Sequence, residues 1–217
     1  MSKIIVLVGA PGAGKGTQAR LIQERLNLPQ ISTGDILRAR AAMGDALGEE
    51  IRAVQAAGKL APNELVIRVV QERTAHADCK NGYVLDGFPR TLAQAIMLEE
   101  LAREQRQPIV AVAIDVPVDI LEKRTTGRRS CPKCGEIYNM YFKPPQEDET
   151  CDHDKGVKLV IRADDTVEKV RVRLETYARE TEPLLAYYGE LNRLERVDGT
   201  QDRETIYRQL EKIIKEK

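Results

Sequence analysis

Gly9-Ala-Pro-Gly12-Ala-Gly14-Lys15-Gly16 places three glycines before a lysine, directly after the apolar run Ile4-Ile5-Val6-Leu7-Val8. In such a turn successive backbone N–H groups point at one anion, Lys15 adds a charge, and the following helix presents its positive end. The chemistry is phosphate binding. Gly-x4-Gly-Lys between a strand and a helix is the spacing of a P-loop. Gly16 stands where such loops usually carry a hydroxyl, and Thr17 comes one residue later, so direct magnesium coordination from the usual position is in question.

Three further sets of residues suit a phosphoryl site. Asp86 ends the short apolar run Tyr83-Val84-Leu85, and an acid at the carboxyl end of a strand beside the P-loop strand is placed to handle magnesium. Ser32, Thr33 and Asp35 open a helix with Arg38 one turn in, a pattern that also serves plain helix capping. Arg124 and Arg128 lie four apart, and Arg162 and Arg173 lie 11 apart, on the two sides of one segment. A forked, permanently charged donor suits a phosphoryl group better than lysine does.

The segment between those arginine pairs carries Cys131-Pro-Lys-Cys134, then 16 residues, then Cys151-Asp-His-Asp154. Two x2 knuckles can bring four ligands to one tetrahedral point, which is a structural zinc pattern. Asp154 is the fourth ligand by register, with His153 as its competitor. Tyr138, Met140, Tyr141 and Phe142 suit short strands, in a unit with too little core to hold itself together without the metal. Cys79 is left over and reads as a small buried hydrophobe.

The elements that must position these residues alternate. A strand at 4–8 leads to a helix from Thr17 to Leu26, and a short strand at Gln30-Ile31 leads into two short helices separated by Gly44 and ending over 58–62. A helix follows over 63–73, then the strand at 83–86, a helix over 91–106, a strand over 109–114 and a helix over 118–126. After the cysteine segment a long helix is expected over 167–188, bent or broken near Pro183, with Val167, Val170, Leu174, Tyr177 and Leu184 inward. A last strand at 193–197 and a helix over 204–215 close the chain. This alternation predicts a doubly wound parallel sheet with helices on both faces.

The 217 residues suffice for one core with excursions. Lys plus Arg equals Asp plus Glu at 34 each, so no net charge steers the molecule toward nucleic acid or an anionic membrane. No apolar run approaches the roughly 20 residues that span a bilayer, and the N-terminus lacks a signal peptide's pattern; a cytoplasmic protein is expected.

Taken together, residues 9–17, Ser-Thr-Gly-Asp-Ile-Leu-Arg at 32–38, Asp-Gly-Phe-Pro-Arg-Thr at 86–91, Gly-Arg-Arg at 127–129 and Arg-Ala-Asp-Asp at 162–165 resemble the adenylate kinases of the long-lid, zinc-containing bacterial type. The resemblance covers essentially the whole chain, and the family's P-loop also has Gly after the Lys. It implies a five-stranded P-loop nucleoside monophosphate kinase fold. The core would comprise residues 1–31, 62–126 and 165–217, with a helical monophosphate-binding insertion at 32–61 and a zinc-bound β lid at 127–164.

The resemblance also implies roles. Gly12, Ala13, Gly14, Lys15, Gly16 and Thr17 would wrap the phosphates of ATP, with Arg124, Arg128, the backbone of Ile137 and Tyr138, and the carbonyl of Gln201 completing that site. Thr33, Arg38, Lys59, Leu60, Ala61, Gly87, Phe88, Pro89, Arg90 and Gln94 would form the AMP site, Arg90 holding the α-phosphate and Gln94 the adenine. Arg162 and Arg173 would reach both nucleotides and, with Lys15, Arg90 and Arg128, act in catalysis. Asp35 and Asp86 would hold Mg2+ through its waters; Zn2+ would be structural.

The activity implied is reversible transfer between ATP and AMP, giving two ADP, by a monomer with no nucleic-acid or membrane partner. A kinase for UMP, CMP or GMP is the alternative, against which Thr33, Gln94 and the full-length lid argue. A P-loop GTPase would need an Asn-Lys-x-Asp motif, which the chain lacks, and a zinc-finger nucleic-acid binder would need a basic recognition helix beside the knuckles.

Overall fold

Ile4–Val8 (β1) is buried along its whole length, as suits an apolar, mostly β-branched run lying between two layers of helices. The structure, a computed structural model, describes residues 2–57 and 59–217; Met1 of the expected core and Gly58 at the expected end of the helical excursion lie outside the described residues.

From β1 the chain runs through α1 (Lys15–Leu26), β2 (Gln30–Ser32), α2 (Thr33–Ala41), α3 (Ala46–Ala56) and α4 (Asn63–Thr74), then a 3-10 turn at Ala77–Asn81. Next come β3 (Tyr83–Asp86), α5 (Leu92–Gln105), β4 (Ile109–Asp115) and α6 (Val118–Thr126). β5 (Arg128–Ser130) and β6 (Ile137–Asn139) form a separate antiparallel pair. The chain then closes through α7 (Val167–Thr176), α8 (Pro183–Glu190), β7 (Leu194–Asp198) and α9 (Arg203–Glu216).

Five strands pair in parallel in the order β2-β3-β1-β4-β7, with Val6 of β1 opposite both Leu85 and Ala111. Alternation along β1 sorts the core into two layers. Ile4, Val6 and Val8 pack on one face with Leu98 of α5, Val70 of α4 and Tyr188 of α8. Ile5 and Leu7 pack on the other with Ile22 of α1 and Leu210 of α9. The carboxyl ends of β1 and β3 open at one edge of this sandwich, and the site gathers there.

Three local expectations need correction. The helix expected over 167–188 is interrupted at Tyr177–Thr181, a π-helical turn one turn before Pro183; the proline itself sits at the first position of α8, where its missing N–H is harmless. Val167, expected inward, opens α7 and is exposed, whereas Val170 and Leu184 are fully buried. Met140, Tyr141 and Phe142 belong to a turn after β6, with Tyr141 and Phe142 exposed; Asn139 caps this turn by accepting from the N–H groups of both. Cys79 is buried, as expected of a lone thiol.

Candidate active site

The P-loop is tight because α6 packs directly on it. Gly12 has φ +89, and a Cβ there would stand 2.6 Å from Thr125 Oγ1 and 2.9 Å from the Leu121 carbonyl, so no side chain fits. Gly16 has its own reason: a Cβ would lie 3.1 Å from Asp86 Oδ2, and a Ser or Thr would crowd the carboxylate at the end of β3. Lys15 folds back, donating to the carbonyls of Gly9 (2.5 Å) and Ala10 (3.1 Å). Burial pushes its ammonium down to about 8; Asp86 opposes this, and Arg90, Arg173 and Arg128 add to it.

That crowding of cations is the main feature of the cleft, whose walls include Lys15, Leu60, Gly87, Pro89, Arg90 and Arg173. Arg90 Nε donates to the Gly87 carbonyl (2.8 Å), and burial followed by Arg173 lowers its proton affinity. Asp165, itself buried, accepts from Arg128 Nε (2.7 Å) and Nη2 (2.5 Å) and from Arg173 (2.9 Å). Burial works most strongly against the charge on Arg128, but the Asp165 hydrogen bonds together with the charges of Asp165, Asp164 and Asp86 outweigh it, so its affinity for the proton rises. Arg162 is pushed down to about 10, by burial first and then by Arg128 and Arg38. Such a set, mutually repelling and partly desolvated, is built to receive several phosphate charges.

Of the residues expected at the acceptor side, Leu60, Gly87, Pro89 and Arg90 line this cleft, and Thr33 and Gln94 hold Gly87 and Arg90. Thr33 Oγ1 donates to the Gly87 carbonyl (2.8 Å), joining the start of α2 to the loop after β3. Arg38 pairs with Asp35 on α2. Burial would raise the Asp35 pKa, but Arg38 and the Ser32 hydroxyl bring it below its ordinary value. Asp86 has Gln30 Nε2 at 3.4 Å, at the foot of α1. Phe88 is wholly buried in the core and Pro89 is buried, following a cis Phe88–Pro89 bond, so Phe88 can meet a ligand only through its backbone. Gln94 is buried, accepting from the Arg90 N–H (2.7 Å) and donating to Asn63 Oδ1 (2.9 Å). Lys59 is exposed and Ala61 half-buried beside Leu60.

The donor-side expectations lie at the other end of the P-loop. Arg124, on the last turn of α6, donates to the Gly199 carbonyl (2.8 Å), drawing it to the loop that holds Gln201. The Gln201 side chain contacts Asp198 and Gln209, which leaves its backbone carbonyl as the group to consider. Ile137 and Tyr138 form β6, with the Tyr138 ring buried against the knuckles.

Cys131, Cys134, Cys151 and Asp154 converge, all four ligand atoms lying within 4.8 Å of one another. Cys134 Sγ and Cys151 Sγ are 3.6 Å apart, and Cys131 Sγ and Asp154 Oδ2 3.8 Å. A tetrahedron with metal–sulfur arms of about 2.3 Å has edges of about 3.8 Å, so the donor set fits zinc. The second oxygen of Asp154 accepts from Lys133 (2.7 Å), while His153 is exposed and outside this group.

Three contributors carry no local sequence signal for what they do here. Asp165 stands in the Arg-Ala-Asp-Asp motif, but only the fold brings it between two arginines. Thr181 reaches the Arg90 carbonyl (2.9 Å) from 91 residues away, and Arg20 of α1 reaches the Gly135 carbonyl (2.7 Å).

A parallel sheet with a P-loop at its first strand, and arginines arriving from two excursions, defines a P-loop phosphotransferase of the nucleoside monophosphate kinase class. The adenylate kinase family model matches residues 7–193. An adenylate kinase of Thermotoga neapolitana is 48% identical, with 99% of this chain and 98% of the relative covered. One of Thermodesulfovibrio yellowstonii is 45% identical over 98% and 99%, and one of Archaeoglobus fulgidus 45% over 97% of each. The chain belongs to the adenylate kinase family, and it is a phosphotransferase enzyme.

Proposed function

We propose that the protein is an ATP:AMP phosphotransferase working by in-line transfer between nucleotides held on the two sides of the Lys15–Arg90 cleft. The observation that carries this reading is the convergence of Lys15, Arg90 and Arg173 on one cleft, with Arg128 joined to them through Asp165. Gly12 to Thr17 wrap the ATP phosphates, and Arg124, the backbone of Ile137 and Tyr138, and the Gln201 carbonyl hold the rest of that nucleotide. Thr33, Arg38, the 59–61 backbone, the 87–90 loop and Gln94 hold AMP, with Arg90 on its phosphate.

An oxygen of the AMP phosphate attacks the γ-phosphorus of Mg-ATP, the bond to the β-phosphate oxygen breaks, and two ADP result. Lys15, Arg128, Arg162 and Arg173 neutralise the charge that shifts across this step, and Asp35 and Asp86 hold the waters of the substrate's Mg2+. The excursions at 32–61 and 127–164 close over the two nucleotides and exclude water, which would otherwise take the phosphoryl group. Cys131, Cys134, Cys151 and Asp154 would hold Zn2+, which supplies cohesion to the lid and takes no part in the reaction. The protein acts as a cytoplasmic monomer, without nucleic-acid or membrane partners; zero net charge supports the absence of polyanionic partners, and among the described residues no helix is long and apolar enough to cross a membrane.

A coupled assay with Mg-ATP and AMP, GMP, CMP or UMP, run beside the reverse reaction from ADP alone, tests the proposal. Strong preference for AMP, with ADP disproportionating to ATP and AMP, is the expected result. Preference for another monophosphate, or no acceptor at all, would overturn it.

A further inference from the structure

α7 passes into α8 through the π-helical turn at Tyr177–Thr181, which ends two residues before Pro183. The Glu182 N–H reaches back to the Tyr177 carbonyl (2.9 Å), the five-residue step that defines the wider turn. In an α-helix of about 3.6 residues per turn, four steps overshoot a full turn by about 40°. The wider turn absorbs most of that overshoot, and so Arg173, Tyr177 and Thr181 keep facing the same cleft.

At the end of this turn the buried Thr181 donates its hydroxyl to the Arg90 carbonyl at 2.9 Å. This is the one hydrogen bond that the Arg90 carbonyl receives among the described residues. The other polar groups near it are already held: the Arg90 N–H by Gln94 Oε1 (2.7 Å), and Arg90 Nε by the Gly87 carbonyl (2.8 Å). Arg90 is thus fixed at its N–H by α5, at its C=O by the π-helical turn and at its guanidinium by its own loop. The loop that carries it has no regular hydrogen bonding of its own between the end of β3 and the start of α5, so these contacts decide where the guanidinium points.

We propose that Thr181 is a positioning residue for the acceptor site, and that the π-helical turn exists to deliver its hydroxyl to the main chain of Arg90. The inference rests on the reading of Arg90 as the group on the AMP phosphate. Without the hydroxyl, the Arg90 carbonyl loses the one hydrogen bond it receives among the described residues, and the loop shifts to find another donor. A misplaced guanidinium weakens AMP binding and leaves the ATP side untouched, since the P-loop makes no contact with Thr181 through hydrogen bonds.

The test is steady-state kinetics, with each nucleotide varied at saturating levels of the other, on Thr181→Val, Thr181→Ser and Arg90→Ala, together with thermal unfolding. Thr181→Val is expected to raise KM for AMP about tenfold, the effect of one lost hydrogen bond to a buried partner, and to leave KM for ATP within about twofold. Thr181→Ser keeps the donor and is expected to restore KM for AMP. If Thr181→Val does not fold, Thr181→Ala replaces it and is read against Thr181→Ser in the same way. An unchanged KM for AMP, equal rises in both KM values, or failure of serine to rescue would overturn the proposal. Arg90→Ala separates it from the reading beneath: if that variant leaves KM for AMP unchanged, the assignment of Arg90 fails. If it raises KM while Thr181→Val does not, the proposal alone fails.

Discussion

Arg20 on α1 donates to the carbonyl of Gly135 at 2.7 Å and reaches Glu136 Oε2 at 3.3 Å, bridging the core helix behind the P-loop to the turn between β5 and β6. Both partners lie in the segment proposed as the lid, and under that proposal the contact belongs to the arrangement that closes over ATP. Removing it with Arg20→Ala should disfavour closure by about 1 kcal/mol, midway between an exposed ion pair and a charged hydrogen bond. KM for ATP is then expected to rise about fivefold, with KM for AMP unchanged. Steady-state kinetics checks this, and an Arg20→Ala enzyme with the parent's KM for ATP would remove Arg20 from any part in closure.

Asp165 is buried between Arg128 and Arg173, each within 2.9 Å of it. Truncating the shared carboxylate strips Arg128 of its ion-pair partner and leaves half-desolvated Arg173 with Asp164 alone, at 3.0 Å. Asp165→Ala should therefore destabilise the fold by about 3 kcal/mol, which in a chain of this size lowers Tm by about 6–12 °C. Inorganic sulfate or phosphate can occupy the same place, so either anion should recover more of the Tm in the variant than in the parent. Calorimetry decides: a Tm within about 2 °C of the parent, or no added response to anions, refutes the role assigned to this pair.

Lys15 gives a pH dependence with a definite sign. Burial, opposed by Asp86 and helped by three arginines, lowers its pKa from 10.5 to about 8 in the folded protein. Between those values the unfolded chain holds the proton and the folded chain has released it, so this group makes stability rise with pH across that window. Binding a polyanion reverses the shift, and Mg-ATP should take up a fraction of a proton at pH 8.5 and almost none from this residue at pH 7. Calorimetric titration in two buffers of different ionisation enthalpy measures the uptake. Lys15→Arg, which stays charged throughout, should abolish it; uptake that persists in that variant belongs to another group.

Much of this arrangement is visible in the chain before any fold is known, and the reasons it stops are local. Three of the five core strands announce themselves, because β1, β3 and β4 are apolar runs that end at Gly9, Asp86 and Asp115, and helices follow them at helical spacing; β2 and β7 are short or mixed and show less plainly. The turn at 177–181 does not show, since Tyr-Ala-Arg-Glu-Thr has the composition of an ordinary helix and its widening depends on what Thr181 can reach. Tyr141 and Phe142 mislead for the opposite reason: aromatic residues favour strands, yet Asn139 pulls their N–H groups into a turn. The cations of the cleft stand out by type and spacing, while their partner Asp165 and the bridge from Arg20 to Gly135 arise from tertiary contact alone.

The cysteine segment yields the last prediction. Its buried centre consists of Cys131, Tyr138 and Cys151, with Val157 and Leu159 half-buried around them, which is far less apolar packing than a unit of this length needs. Metal ligation must then supply what packing does not. Removing zinc with a strong chelator should lower the Tm by more than about 5 °C and make the 127–164 segment an early site of proteolysis. Below the melting range the activity of the folded protein should stay nearly intact, because Lys15, Arg90 and Arg173 lie outside the cysteine segment and Arg128, at its edge, is held by Asp165. Asp154→Cys should keep the metal and at least the parent's Tm, whereas Asp154→Ala should lose both. An immediate loss of activity on chelation at a temperature where circular dichroism shows no unfolding would place the metal in the reaction and overturn its structural role.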